Sequence, residues 1–222
     1  ERRQRPLTWI DGRGPLACPD SGASAVPRRS SFNRARMGHC FEMRLRTTTA
    51  SAAVSAAWHG AAMTTTTELR LFADYFQIHV SDADADSDLS DAWTDRAVAD
   101  HLAVASHALG IGTAVNVDVS VTVVVMPQEP SDDSPEFDHV VEAGLDVPSG
   151  RLMVLGCTDH APDAATFDVP RGWNRVRVSR SNLARATQAD VDSDKSPETT
   201  EKIRIQVWAA PERPARIIKR WS

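Results

Sequence analysis

The sequence has 222 residues, with 25 Lys and Arg against 30 Asp and Glu, a formal net charge of −5. That charge is divided: residues 1–62 hold ten Arg and four acids, a net of +6, whereas residues 63–222 hold fifteen basic and twenty-six acidic side chains, a net of −11. The acidic part excludes a direct nucleic-acid footprint, which needs a basic surface, and with no run of 18 apolar residues no membrane-spanning helix is expected.

Residues 1–62 show no helical or strand periodicity and are rich in Arg, Pro, Ser, Gly and Ala, a composition that buries too little apolar area to order itself. Met63 is followed by four threonines and then by a clear strand pattern. The expectation is that the natural protein starts at Met63 and that the upstream part is a disordered basic tail or a translated leader. Residues 63–222 are then one β domain. Of the three cysteines, Cys18, Cys40 and Cys157, only Cys157 lies in the patterned part, after an apolar run at 152–155. It reads as a buried structural thiol. No disulfide framework is apparent, so a reducing, cytoplasmic setting is expected.

The first strand is expected over 68–80, where Leu69 and Leu71, then Phe76, Ile78 and Val80 alternate, with a bulge where the register slips at Ala73 and Asp74. An acidic stretch at 82–91 follows. Its Asp84, Asp86, Asp88 and the later Asp95 have calcium-loop spacing, but Leu89 stands where the sharp turn needs Gly and the last position lacks the longer Glu. A solvated loop is the plainer reading. A helix is expected from Trp93–Thr94 to about His107, with Thr94 as its N-cap and Ala97, Val98, His101, Leu102 and Ala105 as its apolar stripe. Gly110 and Gly112 end it.

The segment 115–125 places valine at every odd position, with Asn, Asp, Ser, Thr and Val between. Strand side chains alternate faces, so one face is wholly aliphatic, and the segment reads as a central strand of an antiparallel sheet. A loop with Asp132 and Asp133 leads to a strand at 137–147. An internal echo follows: Asp146-Val147-Pro148-Ser149-Gly150 and, twenty-two residues on, Asp168-Val169-Pro170-Arg171-Gly172, each read as strand, Pro-x-Gly turn, strand. The Asp159–His160 pair between them reads as a loop satisfying its own backbone. Residues 181–200 form a second acidic loop with Asp190, Asp192 and Asp194, 202–208 is an alternating strand, and 215–221 is an edge strand.

The order of strand, acidic loop, Trp93-Thr94-Asp95-Arg96-Ala97 helix, Gly110-Ile111-Gly112 turn and long valine strand resembles the competence protein J family, with Tyr75-Phe76-Gln77 and the 168–172 turn also fitting. The resemblance covers about 100 to 140 residues, and the long acidic loop at 82–91 and the insert at 188–200 depart from it. It implies a small bacterial β-sandwich and inhibition of a competence-associated DNA-entry nuclease. The fold expected is mainly β: an antiparallel β-sandwich of about seven or eight strands with one α-helix between the first two long strands, behind a disordered N-terminal tail.

The leading function is a non-catalytic acidic binding protein, an inhibitor or immunity-type partner of a basic protein such as a nuclease. Asp84, Asp86, Asp88, Asp91, Asp132, Asp133, Asp190, Asp192 and Asp194 are the candidate contacts, set against the blander reading of solvated loops. The alternative is a β-sandwich that binds a small ligand, sugar or calcium, with Trp93, Trp173 and Trp208 as aromatic platforms. An enzyme ranks third, since no nucleophile, P-loop or metal motif is present. No catalytic residue, metal site or cofactor is assigned.

Overall fold

The computed structural model describes residues 63–221, so the tail and leader expectations for 1–62 lie outside the described residues. Eleven strands form two sheets: β1 (Thr65–Phe72), β2 (Gln77–Asp82), β3 (Leu102–Val104), β4 (Ala108–Gly112), β5 (Asp118–Val125), β6 (His139–Val147), β7 (Arg151–Gly156), β8 (Ala165–Asp168), β9 (Gly172–Ser181), β10 (Lys202–Ala209) and β11 (Arg216–Lys219). Two helices, α1 (Asp95–Asp100) and α2 (Leu183–Ala189), complete the fold. One sheet has the order β1-β5-β10-β9-β6-β11 and the other β3-β4-β2-β7-β8. The two-layer β reading holds, with more strands and a second helix. Among the described residues no helix is long and apolar enough to cross a membrane.

The valine strand behaves as its pattern dictates. Val115, Val119, Val121 and Val123 are at most 1% exposed, and Val117 and Val125 pack against the same core at its margins. On β5's inner face Val121 and Val123 lie level with Ile203 and Ile205 of β10, and Val121 with Leu69 of β1. The β5–β10 pairing is parallel, so the sheet is mixed rather than wholly antiparallel. Ile78, Val80, Leu109, Ile111, Leu152 and Val154 of the second sheet close the core from the other side.

Four expectations change. The register slip at Ala73–Asp74 is not a bulge. There the chain leaves one sheet for the other, through a 3-10 turn in which Tyr75 (φ 52°) and Phe76 (φ 57°) are both left-handed. The helix from Thr94 ends at Asp100, not near His107. Thr94 Oγ1 accepts from Ala97 N as an N-cap should, but His101 turns left-handed (φ 52°) and residues 102–104 become a strand paired with β4. The second acidic loop is largely helical, α2 running into a 3-10 stretch at Asp190–Lys195. Cys157 is disulfide-bonded rather than a free buried thiol, so cysteine usage no longer argues for a reducing compartment.

The internal echo at 146–150 and 168–172 has a specific meaning. These turns are not hairpins within one sheet. The first carries β6 into β7 of the other sheet and the second carries β8 back into β9. β6 pairs with β9 up to Val147↔Gly172, and β7 pairs with β8 from Arg151↔Asp168, so one two-stranded ribbon folds over from layer to layer. Gly150 (φ 75°) and Gly172 (φ 90°) supply the left-handed backbone at the fold line. Gly150 N donates to Val147 O, Val169 N donates to Gly150 O, and Ser149 N donates to the Asp82 carboxylate.

Trp93 and Gly110, distant in sequence, meet on the outer face of the five-stranded sheet. With Leu89, Ala97, Ala103 and Ala108 they form a small second core under α1. A Cβ at Gly110 would lie 2.6 Å from Trp93 Cζ2, inside contact distance. Gly110→Ala is therefore expected to cost about 1–3 kcal/mol by overpacking and to change the near-ultraviolet signal of Trp93. An unchanged melting temperature would show that the indole is not seated there.

Candidate functional site

The predicted acidic contacts do not form one surface. Asp84 pairs with Arg151 at the start of β7, where the ribbon turns into the five-stranded sheet. Asp133 lies 2.7 Å from Arg204 of β10, and Asp194 lies 3.2 Å from Arg70 of β1, both on the outer face of the six-stranded sheet. Asp88 accepts from Ser90 N and Asp132 from Ser134 N; these backbone bonds hold both carboxyls below their ordinary range. Asp192 pairs with Lys195. Asp86, Asp91 and Asp190 are exposed and make no ion pair among the described residues. Asp84 is spent on an ion pair and Asp88 on a turn, and among the described residues no group of three or more His, Cys, Asp or Glu is set to hold a metal ion.

The chemically denser regions were not singled out from the sequence. On the outer face of the six-stranded sheet, Glu142 of β6 is 1% exposed and receives three guanidiniums. Arg175 Nε donates to its Oε2 at 3.1 Å, Arg177 Nε to its Oε1 at 2.6 Å, and Arg216 Nε to its Oε2 at 2.9 Å. Arg175 Nη1 also donates to the carbonyls of Arg213 and Pro214, and Arg177 Nη1 to Ser131 O. Arg177 lies over the Trp208 ring at 5.5 Å. Burial alone would raise the Glu142 carboxyl, but the bonds from Arg216, Arg177 and Arg175 outweigh it and hold it below its usual range. The available signal was the period-two placement of Arg175 and Arg177 in a strand, which reads as a solvated face until a partner strand sets Glu142 opposite Arg177.

A second polar group closes one end of the core between the sheets. Arg180 and Glu201 are both fully buried, with Arg180 Nε donating to Glu201 Oε1 at 2.8 Å and Ala114 N donating to Oε2 at 2.7 Å. Arg180 Nη1 and Nη2 have no hydrogen-bond partner among the described residues. His139 is buried beside them, its Nε2 against Asp100 O at 3.1 Å and its Nδ1 facing Trp221 N at 3.3 Å, a pattern that uses both nitrogens of a neutral ring. His101 stacks edge-on to it at 5.3 Å. Burial, then Arg180, push His139 down to about 4 and His101 down to about 3; burial pushes His79 of β2 down to about 4. Among the described residues no hydroxyl or thiol bonds the His101 ring, and His160 is an exposed ring 3.3 Å from Asp163.

These imidazoles set the sign of acid lability. Their folded pKa values lie below the ordinary 6.5, so the unfolded chain binds more protons as pH falls. The stability they contribute is whole above about pH 6.5 and is lost on the way down to about pH 4; Glu142 adds a loss of the same sign below its ordinary value. Melting temperatures are expected to fall steadily over that interval, and a constant value from pH 7 to 4 would place the rings in water.

No protein-family model matches the sequence, and no curated protein matches it. Among solved structures, the chain is similar to ComJ from Bacillus subtilis, an inhibitor of the DNA-degrading activity of NucA: 17% identity, 67% of this chain and 100% of that one covered, TM-score 0.52. It is also similar to the crocagin biosynthetic gene J protein, with 20% identity, 69% and 100% coverage and a TM-score of 0.44. At this identity the ComJ likeness shows the fold, the one implied by the competence protein J resemblance.

Proposed function

We propose that this chain is a non-catalytic binding protein that inhibits a nuclease by occupying the basic cleft offered to DNA phosphates. The observation that carries the reading is the likeness to ComJ, every residue of which falls within the superposed length. Electrostatics favour the same partner: the net of −11 over residues 63–222 would speed association with a basic surface. The carboxylates free to make that contact are Asp86, Asp91 and Asp190, together with Asp88, whose outer oxygen is shared with the Ser90 hydroxyl. Asp84, Asp133 and Asp194 are committed to arginines within the fold and serve it first.

The test is a DNA-degradation assay on a lysate of the protein's own cells, with purified full-length chain added at low and at high salt. Inhibition at low salt that weakens at high salt is expected, because exposed charges are screened beyond a Debye length of about 8–10 Å. A triple Asp86→Asn, Asp88→Asn, Asp91→Asn variant is expected to need more protein for the same inhibition. Undiminished degradation at both salt concentrations would overturn the reading.

A further inference from the structure

An open cleft of about 270 Å³ lies beside the Glu142 cluster, lined by Glu129, Glu142, Arg175, Trp208, Arg213 and Arg216. We propose that it binds a small organic carboxylate carrying a flat apolar body. This site stands apart from the inhibitor reading, and Asp86, Asp88, Asp91 and Asp190 are not in its lining.

The arginines there are held in place with donors to spare. Arg175 is 4% exposed and fixed by three bonds, through Nε to Glu142 and through Nη1 to two backbone carbonyls, and its Nη2 makes no hydrogen bond among the described residues. Arg216 uses only Nε, on Glu142, and its Nη2 comes no closer than 4.0 Å to Glu129. The end-on fork of Arg216 is thus open to a bidentate carboxylate, with Arg175 Nη2 as a further donor on the same lining. Arg213 also lines the cleft, and its side chain makes no hydrogen bond among the described residues. A guanidinium locked by a buried carboxylate and by main-chain oxygens has little rotamer freedom left to lose on binding.

The lining also chooses among anions. Glu129 and Glu142 both face the cleft, which disfavours a dianion and leaves room for a single negative charge. Glu129 is half-exposed and sits 3.7 Å from Arg177 Nη2 and 4.0 Å from Arg216 Nη2, beyond hydrogen-bond length. It is a loosely held carboxylate at the place a ligand's carboxylate would take. Trp208, Ala209, Ala210 and Pro127 supply the apolar part of the wall. The volume falls just below the roughly 300–1,000 Å³ of drug-sized sites, which limits the ligand to about one ring.

The experiment is calorimetric and NMR titration of the full chain with benzoate, acetate and inorganic phosphate at pH 7. Saturable benzoate binding is expected, with acetate weaker because it lacks the ring, and phosphate weakest. Glu129→Gln is expected to tighten benzoate about fivefold, the size of one exposed like-charge contact near 4 Å. Arg213→Ala, which leaves the Glu142 bonds and the Arg213 carbonyl intact, is expected to weaken it. No saturable benzoate binding in either the wild type or Glu129→Gln would overturn the proposal, as would phosphate binding more tightly than benzoate.

Discussion

Glu142→Leu is expected to lower the free energy of unfolding by about 3–5 kcal/mol, the usual consequence of removing one partner from a buried ionic group. The carboxylate is almost completely buried and, among the described residues, is the only acid within hydrogen-bond distance of Arg175 and Arg177. Without it two guanidiniums, each 4% exposed, remain in a sheet face with no hydrogen-bonded carboxylate among the described residues, the half-exposed Glu129 standing 3.7 Å from Arg177. Relocating them to water would tear Arg175 from the Arg213 and Pro214 carbonyls and loosen the segment leading into β11. Arg216→Ala makes the internal comparison: that side chain is half-exposed, so its loss is expected to cost about 1 kcal/mol or less. Urea unfolding of the two variants with an unchanged slope is the measurement. Equal small losses in both would mean that water reaches the cluster.

The second large effect is at Arg180 and Glu201. Each single replacement, Arg180→Met or Glu201→Leu, strands a fully buried charge and is expected to cost about 3–5 kcal/mol. The double replacement is expected to recover most of that loss. Arg180 brings Nη1 and Nη2 into the core with no hydrogen-bond partner among the described residues, so the pair is incompletely compensated even when intact. A coupling free energy of several kcal/mol from the double-mutant cycle is therefore expected. Additive losses would show that the two charges do not depend on each other.

Period-two patterns were legible in the valine strand and β10, which sit where alternation puts them, and the Lys- and Arg-bearing β11 lies at a sheet edge as its charges suggested. The Thr94 cap was legible because its chemistry is local. What alternation does not encode is which sheet a strand joins. A slip in phase looks the same whether the chain bulges or crosses over, and at Ala73 it crosses over. Leu102, Ala103 and Val104 fit a helical stripe and a strand equally well until β4 pairs with them. Charged residues at alternate positions look solvated, which hid Arg175 and Arg177. Conversely, a count of aspartates does not reveal which already hold a serine amide or an arginine; Asp132, Asp133 and Asp194 do.

The ribbon that bends from β6 and β9 into β7 and β8 ties the layers together through the main chain as well as through side-chain packing. Sliding one layer across the other would shear a continuous ladder at Val147 and Gly172. The layers should therefore not come apart in sequence, and amide protons on both sides of the bend should exchange with deuterium at one shared opening free energy, as members of a single cooperative unit.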